Sequence, residues 1–197
     1  MCLRPKRTCI CHLISRVHSD VEVWILQHPL EVTETKGTAR LLHLSLPNSK
    51  MLVGEVFDEA ELLNIKSNKK YSILLYPTTP EDHSLGIAVP PALNEACLKE
   101  LNSIRMIIID GTWRKSRKIL IKNPYLQTLP RLVLQDLPAG QYSIRKARKP
   151  HQLSTLEAAI AALAQLEADT HKFEPLIQSF IAFNAFVALL MGKEENR

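Results

Sequence analysis

Five short apolar runs punctuate the chain, and their periods predict strands. Val21 to Leu26 alternates in its first half and then runs apolar, Met51-Leu52-Val53 fits a short strand, and Tyr71 to Tyr76 is closed by Pro77. Arg131 to Leu134 reads as a further strand. The strongest run is Met106-Ile107-Ile108-Ile109, apolar without a break and mostly β-branched, as in a parallel sheet buried on both faces. Between the strands lie helical patterns: Ala39, Leu41, Leu42 and Leu44; a short helix near Asp58–Leu63; a basic helix from Trp113; and Leu156, Ile160, Leu163 and Leu166 on one face of a helix opening at Ser154. A last helix from Pro175 is apolar nearly all round through Leu176, Ile177, Phe180, Ile181, Phe183, Phe186 and Val187, so it is either deeply buried or a subunit interface. Glu31 to Gly37, Lys66 to Lys70, Thr78 to Pro91 and the basic stretch Pro138 to Pro150 read as loops. Strands alternating with helices predict one α/β domain with a mostly parallel central sheet flanked by helices. It divides into a Cys-containing segment, 1–15, and a core, 16–197.

The chemistry points to the end of the central run. Asp110 stops it, Gly111 permits a sharp turn, and Thr112 and Trp113 open the basic helix. Ligands of open α/β sheets bind at the carboxyl ends of such strands. Each residue also has a plain structural role: Asp110 or Thr112 as a helix N-cap, Gly111 as a turn, Trp113 as core. Ser154-Thr155-Leu156-Glu157 likewise fits a capping box, which accounts for Ser154 and Glu157 without a ligand.

Composition narrows the partner. The 197 residues carry a net charge of +5, which favours an anionic one. Arg114, Lys115, Arg117, Lys118 and Lys122 form one basic cluster with no acid among them; Arg145, Lys146, Arg148, Lys149 and His151 form a second. Lys and Arg of this kind contact phosphate with little sequence information. No Gly-x-Gly-x-x-Gly or P-loop is present, which argues against a dinucleotide enzyme or an NTPase. The amino terminus shows no apolar signal region, and Gln178, Ser179 and Asn184 interrupt the apolar stretch from Pro175 to Met191, so a cytoplasmic protein without a membrane partner is expected. In that compartment the clustering of Cys2, Cys9 and Cys11 favours a metal over a disulfide, with Cys97 standing alone.

Asp110-Gly111-Thr112-Trp113 with Arg117-Lys118, Pro124-Tyr125-Leu126 and Leu129-Pro130 resembles the DTW-domain family, named for its Asp-x-Thr-Trp motif. Cys2…Cys9-x-Cys11, Leu75-Tyr76-Pro77, and Tyr142-x-x-Arg145-Lys146 leading to Leu153-Ser154-Thr155-Leu156-Glu157-Ala158 extend the match over nearly the whole chain. The resemblance implies a tRNA-uridine aminocarboxypropyltransferase that moves the 3-amino-3-carboxypropyl arm of S-adenosylmethionine to N3 of a uridine in tRNA, on a SPOUT-like knotted α/β fold. It implies Asp110, Thr112 and Trp113 as catalytic, and Tyr76, Pro77, Gly111, Leu153, Ser154, Thr155 and Glu157 as contacts to the donor. It implies Arg114, Lys115, Arg117, Lys118, Arg145, Lys146 and Arg148 as contacts to RNA. Asp110 is either the base for N3 or the holder of the donor's ammonium. The family's four-thiolate zinc pattern is one cysteine short here: either the fourth ligand is missing, or His12 or Cys97 substitutes. Lys36-Gly37-Thr38-Ala39-Arg40 only loosely echoes the family's turn before its first helix. The last helix offers a homodimer contact. Two rival readings stay open: a SPOUT-like methyltransferase using the same donor, and a non-catalytic RNA-binding module.

Overall fold

The computed structural model describes residues 1–63, 70–79, 81–134 and 153–192. Five strands, β1 (Glu22–Gln27), β2 (Ser49–Val53), β3 (Tyr71–Leu75), β4 (Ile104–Asp110) and β5 (Arg131–Leu132), form one sheet in the order β2-β1-β4-β3-β5. Every pairing is parallel. The helices are α1 (Ala39–Ser45), α2 (Glu59–Leu63), α3 (Glu81–Ser84), α4 (Trp113–Lys122), α5 (Pro124–Gln127), α6 (Thr155–Glu167) and α7 (Glu174–Gly192). The α/β architecture expected from the apolar runs is therefore present.

Alternation along the strands divides the core in two. Val23 and Ile25 of β1 and Ile104, Met106 and Ile108 of β4 face one side, where they meet Leu41 and Leu42 of α1, Leu156, Ile160 and Leu163 of α6, and Phe180 and Phe183 of α7. Trp24, Leu26, Ile107 and Ile109 face the other side, against Ile119 and Leu120 of α4 and Tyr125 and Leu126 of α5. All seven residues of β4 are buried, which is why its sequence carries no polar alternation.

Several boundaries depart from the pattern. β4 begins at Ile104 and includes Arg105, 1% exposed, whose Nε donates to Glu22 Oε2 at 2.5 Å and whose Nη1 donates to Leu62 O at 3.0 Å. Its guanidinium also lies 4.2 Å from the centre of the Trp24 ring. A partner supplied by another strand is invisible to local hydropathy. β5 is two residues long rather than four, and Val133 is exposed. Within the expected loop Thr78 to Pro91, the short α3 carries Asp82, which pairs with Arg131 Nη1 at 2.5 Å and fixes this connection to the end of the sheet.

A 3-10 turn (His171–Phe173) runs into α7, giving a helix from His171 to Gly192 long and apolar enough to cross a membrane by length and composition alone. Phe173, Leu176, Phe180, Phe183 and Val187 bury one side of it in the protein, while Ile181, Leu189 and Met191 are exposed. The expected loops Lys66 to Lys70 and Pro138 to Pro150 fall wholly or largely outside the described residues. The expected knot turns on the passage from β5 to α6, residues 135–152, which also lie outside them.

Replacing Glu22 by Ala is expected to lower stability by about 3–5 kcal/mol in urea titration, since it leaves the buried Arg105 charge without its carboxylate.

Candidate active site

Asp110 ends β4 on the face shared with Ile104, Met106 and Ile108, so alternation points its carboxylate toward α6 and away from α4. β1 pairs in a register that sets Gln27 directly opposite Asp110. Gln27 Nε2 donates to Asp110 Oδ2 at 2.9 Å, and Thr155 Oγ1, from the first turn of α6, donates to Oδ1 at 2.5 Å. Asp110 is 5% exposed, and each carboxylate oxygen has its own neutral donor from a different element. Burial pushes the Asp110 carboxyl above its usual range; the hydrogen bonds from Thr155 and Gln27 pull it back, the nearby Glu31 adds to the rise and Lys115 opposes it. The result is a buried carboxylate of raised basicity at the carboxyl edge of the central strand.

Gly111 lets the chain turn tightly. A methyl group there would stand 3.1 Å from Lys115 Cβ and 3.6 Å from His28 Cβ. Beside it, the His28 N–H donates to the Asp110 carbonyl at 2.9 Å. The His28 ring accepts from the Leu30 N–H at Nδ1 (3.1 Å), which puts its proton on Nε2, 2.9 Å from Glu55.

The aromatic part of the motif turns the other way. Tyr76 belongs to the core on the α4 side, and the Trp113 ring stacks on it with centroids 5.3 Å apart and planes 14° from parallel. Arg117 lies 5.8 Å from the Trp113 ring centre and Arg131 lies 5.4 Å from that of Tyr76. Trp113 is 46% exposed, so it is not core packing. Thr112 is exposed and caps α4 without a side-chain hydrogen bond, and Pro77 is exposed at the end of β3. The strand-end corner thus does not gather its residues into one cluster: the carboxylate faces α6, the aromatics face α4.

At the start of α6 the capping box is formed: Ser154 N–H donates to Glu157 Oε2 at 2.7 Å, and Glu157 N–H to Ser154 Oγ at 3.3 Å. Leu153 is exposed and Thr155 half-buried. Thr38 accepts from the Leu156 N–H at 3.2 Å, which gives the loosely matched 36–40 stretch a place between α1 and α6.

The basic helix has acid neighbours that its own sequence lacks. Lys115 pairs with Glu31 at 2.7 Å, while Lys118 and Lys122 pair with Glu55 at 2.7 and 2.6 Å. Those two lysines hold the Glu55 carboxyl down to about 2. The expectation of an unneutralised cluster is corrected here: long-range pairing among the described residues engages Lys115, Lys118 and Lys122, and Arg114 is exposed at the start of the helix. Arg145, Lys146, Arg148, Lys149 and His151 lie outside the described residues.

A cavity of about 250 Å³ opens at the ends of β1 and β2, bounded by Cys2, Arg4, Gln27, Glu31, Arg40 and Met51. Its charged walls are committed within the protein: Arg4 donates to the carbonyls of Thr35 (2.9 Å) and Gly37 (2.8 Å), and Arg40 Nε to that of Cys2 (3.3 Å). A larger depression of about 500 Å³ near Asp20 and Lys99 to Ser103 sits at the opposite end of β4 and gathers no such chemistry.

Cys2, Cys9 and Cys11 bring their sulfurs within 4.8 Å of one another, and the Cys2 and Cys9 sulfurs are 3.7 Å apart. Sulfurs at two corners of a zinc tetrahedron stand about 3.8 Å apart, so the spacing fits that metal. Burial raises the Cys2 thiol, but hydrogen bonds from the Ile10 and Arg4 backbone and from Cys11 and Cys9 bring it down to about 6. Neither substitute ligand joins the group: the His12 ring packs edge-on against Phe186 at 5.4 Å, and Cys97 lies apart.

Reading the sequence singled out Asp110 and Thr155 but missed Gln27, His28, Glu31 and Glu55. A signal was available for the first two, since Gln27-His28 ends a parallel strand just as Asp110 does. Glu31 and Glu55 lie in segments whose partners only the fold supplies.

The chain is 30% identical to tRNA-uridine aminocarboxypropyltransferase 2 of Macaca fascicularis and 29% identical to that of Mus musculus, in each case over 94% of this chain and 61% of the relative. It is also 29% identical to the protein of that name from Drosophila melanogaster, over 90% of this chain and 69% of the relative. This chain therefore spans about three-fifths of the length of the two mammalian relatives. No solved structure matches it. The DTW domain model matches residues 1–188, and the chain belongs to the DTW domain family.

Proposed function

We propose that this protein transfers the 3-amino-3-carboxypropyl group of S-adenosylmethionine to N3 of a uridine in tRNA. One observation carries the reading: a DTW-family chain whose central strand ends in a carboxylate that is buried, made more basic by burial, and held by two neutral donors. Uridine N3 carries an imide proton and is a poor nucleophile until that proton leaves. Asp110 takes the proton, N3 forms a bond to the methylene carbon γ to the donor's carboxylate, and the carbon–sulfur bond breaks with its electron pair going to sulfur. Methylthioadenosine departs neutral, so the leaving group needs no acid.

The other groups bind and orient. Trp113, stacked on Tyr76 and half open, offers a ring face to the adenine of the donor or to an unstacked base. Thr112 presents its hydroxyl at the start of α4, where the donor's carboxylate would meet a helix N-terminus. Arg114 and the 145–148 cluster meet RNA phosphate. Cys2, Cys9 and Cys11 would hold a zinc ion that ties the amino-terminal segment together; their spacing supports this. The exposed Ile181, Leu189 and Met191 of α7 are the surface for a homodimer.

Donor labelled separately in the methyl and carboxyl groups tests the reaction. Carboxyl label is expected in tRNA nucleosides; methyl label instead would make this a methyltransferase, and neither label a binding module. Asp110→Asn is expected to abolish transfer while changing tRNA affinity less than twofold in a filter-binding assay.

The same substitution has a signed effect on stability. Because the folded carboxyl sits above its usual 3.8, the native state holds the extra proton between the two values, and native stability falls as pH rises through that window. Asp110→Asn removes this dependence, so its stability relative to the parent is expected to grow with pH there, as read by thermal melts.

For RNA, Arg114→Ala is expected to weaken binding and flatten its salt dependence more than Lys118→Ala, because Lys118 is already engaged by Glu55.

A further inference from the structure

We infer that Thr155 is a positioning residue that sets the protonation and orientation of Asp110, rather than a contact to the donor. The inference rests on the proposed role of Asp110 as base. Three elements meet at this carboxylate. β4 supplies it, β1 supplies Gln27 through a register that leaves no freedom, and α6 supplies Thr155 from its first turn. The capping box holds that turn through Ser154 and Glu157, and the Leu156 N–H, given to Thr38, fastens it to α1. The Thr155 hydroxyl is consequently delivered to Oδ1 from a rigid corner, and its single proton is spent on the carboxylate.

The consequence is chemical. With Gln27 donating to Oδ2 and Thr155 to Oδ1, each oxygen of the ionised form has a donor, and a proton on either oxygen would compete with one of them, so the pair favours the ionised state that a base needs. Burial works against them. The charged groups nearby are Glu31, on the 3-10 turn after β1, and Lys115 of α4, which are paired with each other at 2.7 Å. Glu31 opposes ionisation and Lys115 favours it. His28 meets this strand end through its backbone N–H, its ring being turned to Glu55.

Three variants and two readouts test this. In Thr155→Val, the acid limb of the kcat/KM profile is expected to move up by about one pH unit, a roughly tenfold loss on the acid side that recovers at higher pH, with KM for donor and tRNA unchanged. Thr155→Ser restores the parent profile. Glu31→Gln moves the limb the other way, since it removes a repelling charge and frees Lys115. The carboxyl carbon of Asp110, followed by NMR in the full chain, reports the same shifts without any turnover. It therefore tests the inference even if Thr155→Val folds poorly, with Thr155→Ala, which lacks the same hydroxyl, taken in its place, and even if the chain transfers no arm at all. A parent that titrates normally but shows no transfer overturns the proposed reaction alone. A Thr155→Val loss that is uniform across pH or raises KM, or an Asp110 titration unmoved by the substitutions, overturns the role of Thr155.

Discussion

A carboxylate withdrawn from water either finds donors or takes up a proton. At Asp110 the fold supplies two donors, neutral and well placed, one on each oxygen. Much of the architecture around this point serves that arrangement. The parallel register of β1 on β4 brings Gln27 alongside. The packing of α6 over the α1 side of the sheet brings Thr155 from 45 residues further along the chain. Neither donor carries a charge, so the acid stays available to exchange a proton instead of being locked in an ion pair.

The remaining charges around this point pair among themselves. Glu31 holds Lys115, and Glu55 collects His28, Lys118 and Lys122. Buried Arg105 and Arg131 are each matched by a carboxylate from another element, Glu22 and Asp82. A chain of net charge +5 therefore presents fewer unengaged cations beside its strand ends than its composition implies. The two sides of the DTW turn have separate environments as well, a polar one under α6 and an aromatic one against α4, although the residues concerned are only three apart in sequence. That separation keeps the buried carboxylate and the exposed ring from competing for the same space.

The amino-terminal segment belongs to this same end of the sheet. Cys2 and Arg4 wall the cavity that reaches Gln27, Arg4 clasps the carbonyls of the loop before α1, and its guanidinium lies 5.6 Å from the Phe183 ring of α7. The thiol cluster accordingly anchors a structural wall next to the strand ends rather than a detached tail.

Local pattern was enough for the α/β class, the central strand, the basic helix, the capping box and the place of Asp110 at the strand end, because each depends on periodicity or on residues within one turn of each other. The DTW motif and its companions were legible for the same reason. Tertiary structure alone decided which face each motif residue takes, through the two-residue period of β4. It also decided which donors reach Asp110 and which acids neutralise the basic helix, since Gln27, Thr155, Glu31 and Glu55 lie 45 to 84 residues from their partners. No local window contains such a pair; strand register and helix packing bring them together, and those are properties of the folded chain.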